Sequence, residues 1–373
     1  MNQETPPVDS SQAENIQRLL ETTGQQLVLA ESCTSGLVAA RIGSLPGISA
    51  HFCGSAVVYQ EQTKQQWLGI SEQTLQEAGV VSSQVASQMA QGALQSTAQA
   101  TLAAAITGHL GPDAPAELDG QLELGIASRN HTDGTIETVV RTIQLPEVGR
   151  AARQQLAAQH LLQLVERALL VVQAWQGLQE QPQSCWSIPS WNGASPAEPA
   201  ELVFPGAFAP CHEGHVEIMR AAQQAESGQL ALEISLENVD KPALSAAAAV
   251  ARVVPLAEIP VWLTRAATFV EKAQRFAGCT LVVGADTLAR IGQPRYYTGG
   301  EAAMLAAIDQ IAAAGNRFLV FGRKMNGQFQ TGRDSEQASF MGLDELDIPA
   351  GLRELCQPVS EDAFRRDISS RDL

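Results

Sequence analysis

Residues 27–36 read LVLAESCTSG, and this stretch decides the fold of the first half of the chain. Leu27–Ala30 is an apolar run of the length expected for a buried strand, and the Ser, Thr and Gly residues after it mark a turn. The apolar spacing that follows, to about Arg41, indicates a helix. A strand that passes through a short turn into a helix is the repeating unit of α/β proteins, so the sequence predicts this class.

The alternation of strands and helices continues through the rest of the first half. The pattern Ser11-x-x-Glu14 is a capping box that opens the first helix. We expect further strands at 54–59, 103–106, 122–128 and 136–143, and helices at 11–23, 71–78, 82–96 and 147–175. These elements predict an α/β sandwich, with helices packed on a central sheet.

The second half repeats a simpler unit. Short apolar strands are expected at 201–204, 230–236, 260–264, 280–283 and 318–321. The first four are followed by helical sequence. Repeated strand–helix units with short connections imply right-handed crossovers and predict a doubly wound parallel sheet. Ligands of such sheets bind beyond the carboxyl ends of the strands.

The length of 373 residues favours two domains. Residues 177–199 are rich in Pro, Ser, Gln and Gly and follow neither a helical nor a strand period, which is typical of a linker. We therefore predict one domain at 1–176 and another at 200–373.

The charge of the chain limits its partners. It carries 40 acidic and 24 basic residues, for a net charge of −16. Because an acidic surface repels phosphate backbones, we do not expect nucleic acids as ligands, and a local pocket for a phosphorylated small molecule stays open.

The cysteines and the apolar runs indicate the compartment. The six cysteines form no Cys-x-x-Cys pair, which argues against a disulfide framework or a structural zinc site. No apolar run reaches the roughly 18 residues of a membrane span, and the N-terminus has no secretory signal pattern. We expect a cytoplasmic protein that does not bind membranes.

The stretch 206–215, GAFAPCHEGH, lies where a predicted strand gives way to a helix. Gly206 lets the backbone approach a triphosphate, and the helix N-terminus offers free N–H groups. Two imidazoles, His212 and His215, add hydrogen-bond donors for the negative charge that develops during transfer. The alternative is that both histidines only cap the helix.

This spacing, G-x-F-x-P-x-H-x-G-H, resembles the signature of the HxGH nucleotidyltransferase superfamily. The resemblance implies a Rossmann-like sheet and transfer of a nucleotidyl group from ATP or another nucleoside triphosphate, with Mg²⁺, to a mononucleotide-like acceptor. It gives catalytic roles to His212 and His215. The residues that it assigns to substrate binding are Gly206, Phe208, Gly214, Asp286, Ser369, Ser370 and Arg371. Asp286 has the alternative role of capping the helix that begins near it.

Three loop motifs of the first half resemble the CinA C-terminal domain family, the nicotinamide mononucleotide deamidases. They are the stretch 30–36, the pair Tyr59 and Lys64, and the stretch 107–113, which reads TGHLGPD. The resemblance covers about residues 20–170. It implies hydrolysis of the carboxamide of nicotinamide mononucleotide without a metal or other cofactor, in a domain that forms homo-oligomers.

Amide hydrolysis needs a nucleophile, a base, and donors for the oxyanion. The predicted nucleophile is Ser32, the predicted base is Lys64 with a pKa lowered by burial, and Tyr59 orients or relays the proton. The residues assigned to substrate binding are Thr34, Gly36, Thr107 and Gly108. Ser32 has the alternative role of an N-cap.

Two hypotheses about the whole chain follow. In the first, the chain is a bifunctional enzyme of pyridine-nucleotide metabolism that combines both activities. In the second, the first domain is a catalytically degenerate module for oligomerisation and ligand binding, because the family's Gly-Pro-x-Gly-Gly loop reads GPDAP at 111–115. In a variant of the second, both domains are vestigial nucleotide sensors. Release of ammonia from nicotinamide mononucleotide separates the two hypotheses.

Overall fold

The computed structural model describes residues 10–238, 242–325 and 339–359. These residues divide into two compact units. The first unit ends at Gln176 and also includes Leu244–Pro255, while the second comprises Gly177–Ala243 and the chain from Leu256 onward. In the part of the chain described, no helix is both long and apolar enough to cross a lipid bilayer.

Helices and strands alternate along the chain. The helices are α1 Ser10–Thr23, α2 Leu37–Gly43, α3 Glu61–Leu68, α4 Glu72–Ala78, α5 Ser83–Ser96, α6 Arg150–Glu180, α7 Glu213–Ala225, α8 Ala246–Val253, α9 Phe269–Arg275, α10 Ala285–Ile291, α11 Gly300–Ala313 and α12 Ala350–Arg353. The strands are β1 Leu27–Glu31, β2 Phe52–Val57, β3 Leu102–Gly108, β4 Gln121–Arg129, β5 Ile136–Gln144, β6 Trp186–Ile188, β7 Leu202–Pro205, β8 Leu230–Ser235, β9 Val261–Thr264, β10 Thr280–Gly284, β11 Arg317–Phe321, β12 Arg323–Met325, β13 Ser339–Met341 and β14 Cys356–Pro358. Both units combine helices with strands, which confirms the predicted α/β class.

The first unit has a five-stranded sheet with the order β2-β1-β3-β4-β5. β1 pairs in parallel with both β2 and β3, whereas the pairs β3–β4 and β4–β5 are antiparallel. Because the three parallel strands end at the same edge of the sheet, the residues that follow them meet there. This edge therefore gathers the segments that begin at Ser32 and at Val58 with the last residues of β3, Thr107 and Gly108.

Helix α5 packs closely on this sheet. Its apolar side chains lie against small residues of β3 and β4, so that Val85, Met89 and Ala93 share one core with Ala103, Ala105 and Ala127. A Cβ atom on Gly125 of β4 would lie 2.5 Å from the carbonyl oxygen of Ala86. The helix backbone therefore reaches the strand backbone where no side chain intervenes.

A short segment from the second half of the sequence completes the first unit. α8 packs on β4 and β5, and unit-one side chains bind both ends of its segment. Trp175 Nε1 donates to the carbonyl oxygen of Leu244 at 2.8 Å, and Arg141 donates to that of Pro255 at 2.8 Å. Arg167 donates to the carbonyl oxygen of Val253 at 3.4 Å. The arginines thus satisfy carbonyls at the negative end of the helix dipole.

The second unit contains a seven-stranded sheet with the order β14-β11-β10-β7-β8-β9-β6. All neighbours are parallel except β6, which pairs antiparallel with β9 at the edge. Counted in sequence, the six parallel strands lie in the order 3-2-1-4-5-6, which is that of doubly wound dinucleotide-binding sheets. The strand order reverses between β7 and β10. β12 and β13 form a separate antiparallel pair.

The structure differs from the predicted linker at 177–199. Gly177–Glu180 is the last turn of α6, and Trp186–Ile188 is the edge strand β6. The ring of Trp186 packs on Gly177, where a Cβ atom would lie 2.1 Å from the ring. A strand of three residues is too short to show a period in sequence, and it owes its existence to pairing with β9.

Candidate active site

A cavity of about 520 Å³ opens at the edge where the parallel strands of the first unit end. Five of the predicted site residues line it, namely Ser32, Tyr59, Lys64, Thr107 and Gly108. Thr34 and Gly36 are not among its lining residues. The strand topology thus brings three separate sequence motifs to one cavity.

Ser32 and Lys64 are in direct contact inside this cavity. Lys64 Nζ donates to Ser32 Oγ at 2.9 Å and to the carbonyl oxygen of Val58 at 2.8 Å. Both side chains are buried, with Lys64 only 2% exposed. The contact is close enough for a proton to pass from the hydroxyl to an uncharged amine.

The backbone on both sides fixes this pair. Ser32 follows β1 directly, and its N–H donates to the carbonyl oxygen of Ile106 in the neighbouring strand at 3.0 Å. Lys64 lies on α3, which packs on α5 at Gly92, where a Cβ atom would be 2.1 Å from the carbonyl oxygen of Leu68. The predicted nucleophile therefore lies directly after a strand, and the predicted base lies on a helix that packs on α5.

The environment of Lys64 suits a base. Burial lowers the pKa of Lys64 from its ordinary value, while the nearby Cys33 and Glu61 act in the opposite direction. A lysine with a lowered pKa is uncharged in a larger fraction of molecules near neutral pH, and only the uncharged amine accepts a proton.

Cys33, next to the nucleophile, is not set up to react. Burial raises the pKa of the Cys33 thiol to about 12. Because the thiolate rather than the thiol is the reactive form, Cys33 stays protonated and inert.

Tyr59 occupies a different place from the one expected for a proton relay. Its side chain is 55% exposed, and its hydroxyl accepts a hydrogen bond from Arg150 at 2.8 Å. Arg150 also donates to the carbonyl oxygen of Gly111 at 2.6 Å. Tyr59 thus lines the mouth of the cavity together with Arg150, while Ser32 and Lys64 form the inner pair.

Thr34 and Gly36 organise the turn behind the cavity through the carboxylate of Glu31. Glu31 is fully buried. It accepts hydrogen bonds from Thr34 Oγ1, from Ser55 Oγ and from the N–H groups of Gly36, Val38 and Ala39, at 2.8 to 3.1 Å. The carboxylate therefore caps the N-terminus of α2, where helix N–H groups favour a negative charge. The structure gives Thr34 and Gly36 this structural role, and their substrate-binding role stays a prediction.

Thr107 and Gly108, the last two residues of β3, also line the cavity. Thr107 Oγ1 donates to the carbonyl oxygen of Val80 at 3.1 Å. A Cβ atom on Gly108 would lie 2.3 Å from Leu122 Cδ2 and 3.3 Å from Cys33 Sγ. Only glycine lets this strand end pass so close to its neighbours.

The part of the chain that contains this cavity also matches a known protein family. Residues 9–169 match the CinA C-terminal domain family. The predicted resemblance of the N-terminal region is thereby confirmed, and we call the first unit the CinA-like unit. The resemblance of residues 200–373 to nucleotidyltransferases stays a prediction.

Individual relatives of the CinA-like unit agree with the family match. A CinA-like protein of Geobacter metallireducens is 48% identical over 98 residues, 26% of this chain and 24% of that protein. A CinA-like protein of Chlorobium phaeobacteroides strain BS1 is 37% identical over 172 residues, 46% of this chain and 38% of that protein. The chain thus spans about a quarter to two fifths of the length of the curated relatives it matches.

Among solved structures, competence/damage inducible protein CihA from Agrobacterium tumefaciens is similar at 30% identity. The match covers 42% of this chain and 92% of that one, with a TM-score of 0.39.

The residues predicted for the second site lie at the start of α7. His212 is the N-cap of this helix, its N–H donates to His215 Nδ1 at 3.3 Å, and its carbonyl oxygen accepts from the N–H of His215 at 2.9 Å. The two rings stack with centroids 3.8 Å apart. A Cβ atom on Gly214 would lie 3.1 Å from the ring of His212. The structure therefore shows the capping arrangement that was the alternative for both histidines.

Phe208 holds the loop between β7 and α7 together. Its ring covers Gly206, where a Cβ atom would lie 2.7 Å from the ring, and it packs edge-on against His215 with centroids 5.1 Å apart. Asp286 lies in the first turn of α10, after β10. Its Oδ2 lies 3.9 Å from Nη2 of Arg290. Ser369, Ser370 and Arg371 lie outside the described residues.

Sequence reasoning missed three residues around the cavity of the CinA-like unit. Glu31 looked like an ordinary charged residue at a strand end, yet it is the cap of α2. His109 and Arg150 line the cavity without having been assigned a role there. The one sequence signal that Arg150 lies near the cavity was its position at the start of α6, because that helix begins near the same sheet edge.

Proposed function

We propose that the CinA-like unit hydrolyses a carboxamide, that of nicotinamide mononucleotide, with Ser32 as the nucleophile and Lys64 as the base. The single observation that supports this is the 2.9 Å contact between Lys64 Nζ and Ser32 Oγ inside a cavity of mononucleotide size. The match of residues 9–169 to the CinA C-terminal domain family supports it independently.

The reaction needs only these two side chains and water. Uncharged Lys64 accepts the proton of Ser32 as Oγ adds to the amide carbon, and the carbonyl oxygen of the amide becomes an oxyanion. When the C–N bond breaks, the leaving nitrogen takes the proton from Lys64 and departs as ammonia. Lys64 then deprotonates a water that hydrolyses the ester and releases Ser32.

The experiment is ammonia release by the full-length protein from nicotinamide mononucleotide. We expect release that Ser32→Ala abolishes. A protein that binds this mononucleotide but releases no ammonia between about pH 6 and 9, a range that spans bases tuned near neutrality, supports the binding-module alternative instead.

We also propose nucleotidyl transfer as a second function, in the second unit. The observation in its favour is that the loops after β7 and β10 flank the point where the strand order reverses, and ligands of doubly wound sheets bind at such a point. The loop after β7 carries Gly206, and Asp286 lies in the first turn of α10, which follows β10 directly. The bond from the His212 N–H to His215 Nδ1 fixes the orientation of the His215 ring before any ligand arrives, which suits a donor to a developing charge.

A magnesium ion fits this second function only as part of a nucleoside triphosphate complex. Within the described ranges, no group of three or more His, Cys, Asp or Glu side chains could hold a metal ion alone. Triphosphate oxygens would therefore supply most ligands, with Asp286 as the nearby carboxylate, and the bound ion would neutralise phosphate charge.

The test of this function is pyrophosphate release with ATP or CTP and a panel of mononucleotide acceptors. His215→Ala should reduce the rate by about 10²–10³, as expected for one donor to a developing charge. His215→Asn retains a capping acceptor and separates loss of catalysis from loss of the cap, which is worth about 1 kcal/mol. Transfer at the wild-type rate by His215→Ala would contradict the assignment.

A further inference from the structure

The first turns of α6 bind three of the loops that meet at the cavity of the CinA-like unit. Arg150, at the start of the helix, donates to the Tyr59 hydroxyl in the loop after β2 and to the carbonyl oxygen of Gly111 in the loop after β3. Gln154 follows one turn later on the same face of the helix. Its Nε2 donates to the carbonyl oxygen of Cys33, in the loop after β1, at 3.1 Å. One helix face thus connects the loops that carry the predicted site residues.

The loop after β1 is a tight turn that starts at the predicted nucleophile. The N–H of Ser35 donates to the carbonyl oxygen of Ser32 at 3.1 Å. Cys33 and Thr34 are therefore the two central residues of a β-turn. Gln154 binds the carbonyl oxygen of the central peptide bond of this turn. Because a peptide bond is planar, a bond that fixes this oxygen also restricts the rotation of the backbone on both sides of it.

This turn has a backbone conformation that is costly for one of its residues. Ser35 has a φ of +52°, in the left-handed region where residues with a Cβ atom are uncommon, and Gly36 follows with a φ of +91°. Such a conformation persists where the surrounding contacts over-determine it. Within the segment, the Thr34 hydroxyl donates to Glu31 at 2.8 Å. The bond from Gln154 adds a contact from a helix 121 residues further along the chain.

Gln154 holds this turn from outside the cavity. In the described part of the chain, the lining residues of the cavity include Ser32, Cys33 and Lys64 but not Gln154. The Gln154 side chain is half-buried on α6. A change at Gln154 therefore reaches the cavity through the carbonyl group of Cys33, the residue next to Ser32. A misplacement of about 1 Å at reacting atoms costs up to about 10² in rate, so this path is sufficient to affect the reaction.

We propose that Gln154 is a positioning residue for Ser32, because its hydrogen bond to the Cys33 carbonyl oxygen holds the turn after β1 in the conformation that keeps Ser32 Oγ at Lys64 Nζ. Without this bond, the central peptide of the turn is free to rotate, and Ser35 relaxes out of the left-handed region. The Ser32 hydroxyl then spends less time at 2.9 Å from the amine. The proposal rests on the proposed amide hydrolysis for the reaction, and on the contacts of the turn for the role of Gln154.

The variant Gln154→Met tests this role, because methionine has a similar length and its side chain has no N–H donor. With full-length protein and nicotinamide mononucleotide, we expect kcat for ammonia release to fall about tenfold, which corresponds to about 1.4 kcal/mol. KM should change less than about twofold, since an interaction that acts only on the reacting group lowers kcat alone. The pH at which the rate rises should stay the same, because Lys64 keeps its surroundings.

The matched control is Gln159→Met, the same substitution at an exposed position of the same helix. It should have the wild-type kcat, and thermal unfolding shows that each assayed variant is folded. Gln154→Glu, which keeps the shape of the side chain and has no N–H donor when ionised, should show the same loss as Gln154→Met. A wild-type kcat in the folded Gln154 variants, a raised KM, a shifted pH profile in Gln154→Met, or an equal loss in Gln159→Met would overturn the proposal.

A second measurement separates this proposal from the proposed hydrolysis. A fluorophosphonate labels an activated serine, since the Oγ–P bond forms, the P–F bond breaks, fluoride leaves, and Lys64 takes the hydroxyl proton. Intact mass should show one adduct that is absent in Ser32→Ala and forms about tenfold more slowly in Gln154→Met. This result without ammonia release would contradict the hydrolysis and leave the role of Gln154 standing. Ammonia release with equal labelling rates in the parent and Gln154→Met would do the reverse, and a parent that neither labels nor releases ammonia would overturn both.

Discussion

Lys64 Nζ lies 2.9 Å from Ser32 Oγ, although the two residues come from different elements, a strand end and a helix. Lys64 Nζ donates a second hydrogen bond to the carbonyl oxygen of Val58, and this bond fixes the direction of the amine. Both the position of the Lys64 amine and its environment suit a base. The burial that brings the amine to the Ser32 hydroxyl also lowers the pKa of Lys64. This relationship carries the proposed chemistry.

The pH dependence of ammonia release should report on Lys64. Because only the uncharged amine accepts the Ser32 proton, kcat/KM should rise with pH as Lys64 loses its proton. Since burial lowers the pKa of Lys64, this rise should be centred below the ordinary lysine value of about 10.4. A pH–rate profile measures it, and a rise centred at the ordinary value would show that burial does not tune this amine.

Gly92→Ala should impair both stability and activity. The added Cβ would lie 2.1 Å from the carbonyl oxygen of Leu68, so α3 must move away from α5. We expect a loss of about 1–3 kcal/mol of unfolding free energy from overpacking. Because α3 carries Lys64, a displacement of about 1 Å should also slow ammonia release by up to about 10².

The matched control for this variant is Gly43→Ala. Gly43 is helical, and a Cβ there would meet nothing within 4 Å. It should melt at or slightly above the wild-type temperature, because alanine favours a helix. Equal melting temperatures for Gly92→Ala and Gly43→Ala would contradict the close-approach argument.

Glu31→Gln should destabilise the CinA-like unit. The carboxylate accepts five hydrogen bonds, and an amide offers one acceptor oxygen and places two donors against the other N–H and O–H groups. We expect a loss of about 2–4 kcal/mol, since hydrogen bonds to a charged group contribute about 1.5–3 kcal/mol each. Denaturant unfolding measures it, with the exposed Glu14→Gln as control. A change below about 0.5 kcal/mol, typical of surface sites, would contradict the capping role.

A fragment that ends at Gln176 should be less stable than one that also carries Leu244–Pro255. Without this segment, β4 and β5 lose their α8 neighbour, including the buried Val250 and Val253. Burying two valines is worth about 3 kcal/mol or more, which predicts a Tm lower by about 6–12 °C. The comparison fragment joins the segment to Gln176 through a Gly/Ser linker. Equal Tm values would show that α8 contributes nothing to the unit.

Sequence alone could predict the elements whose apolar periods are clear. The run 27–30 and the helix near Ser82 follow the expected patterns, and their ends fall within a residue or two of β1 and α5. α3 was missed because its buried position is occupied by Lys64, where a helical pattern requires an apolar residue. A buried lysine is rare, so an apolar pattern does not predict a helix here. In the proposed reaction, the burial of Lys64 serves its role as a base.

The site was predictable where it depends on strand ends and not where it depends on side-chain partners. Ser32 follows β1, and Thr107 and Gly108 end the neighbouring parallel strand β3, so topology alone brings them together. The contact of Tyr59 with Arg150 and the five bonds to Glu31 depend on loop conformations that no local pattern specifies. For the same reason, the sequence did not predict that Thr34 and Gly36 bind the Glu31 carboxylate.

The most direct measurement of the central claim is a double-mutant cycle on ammonia release from nicotinamide mononucleotide, with Ser32→Ala, Lys64→Ala and the double variant. Members of one nucleophile–base unit are strongly non-additive, because either loss alone disables the shared step. We predict that each single variant removes most of the activity and that the double variant is scarcely slower. Wild-type activity in Ser32→Ala, or losses that multiply in the double variant, would contradict the account.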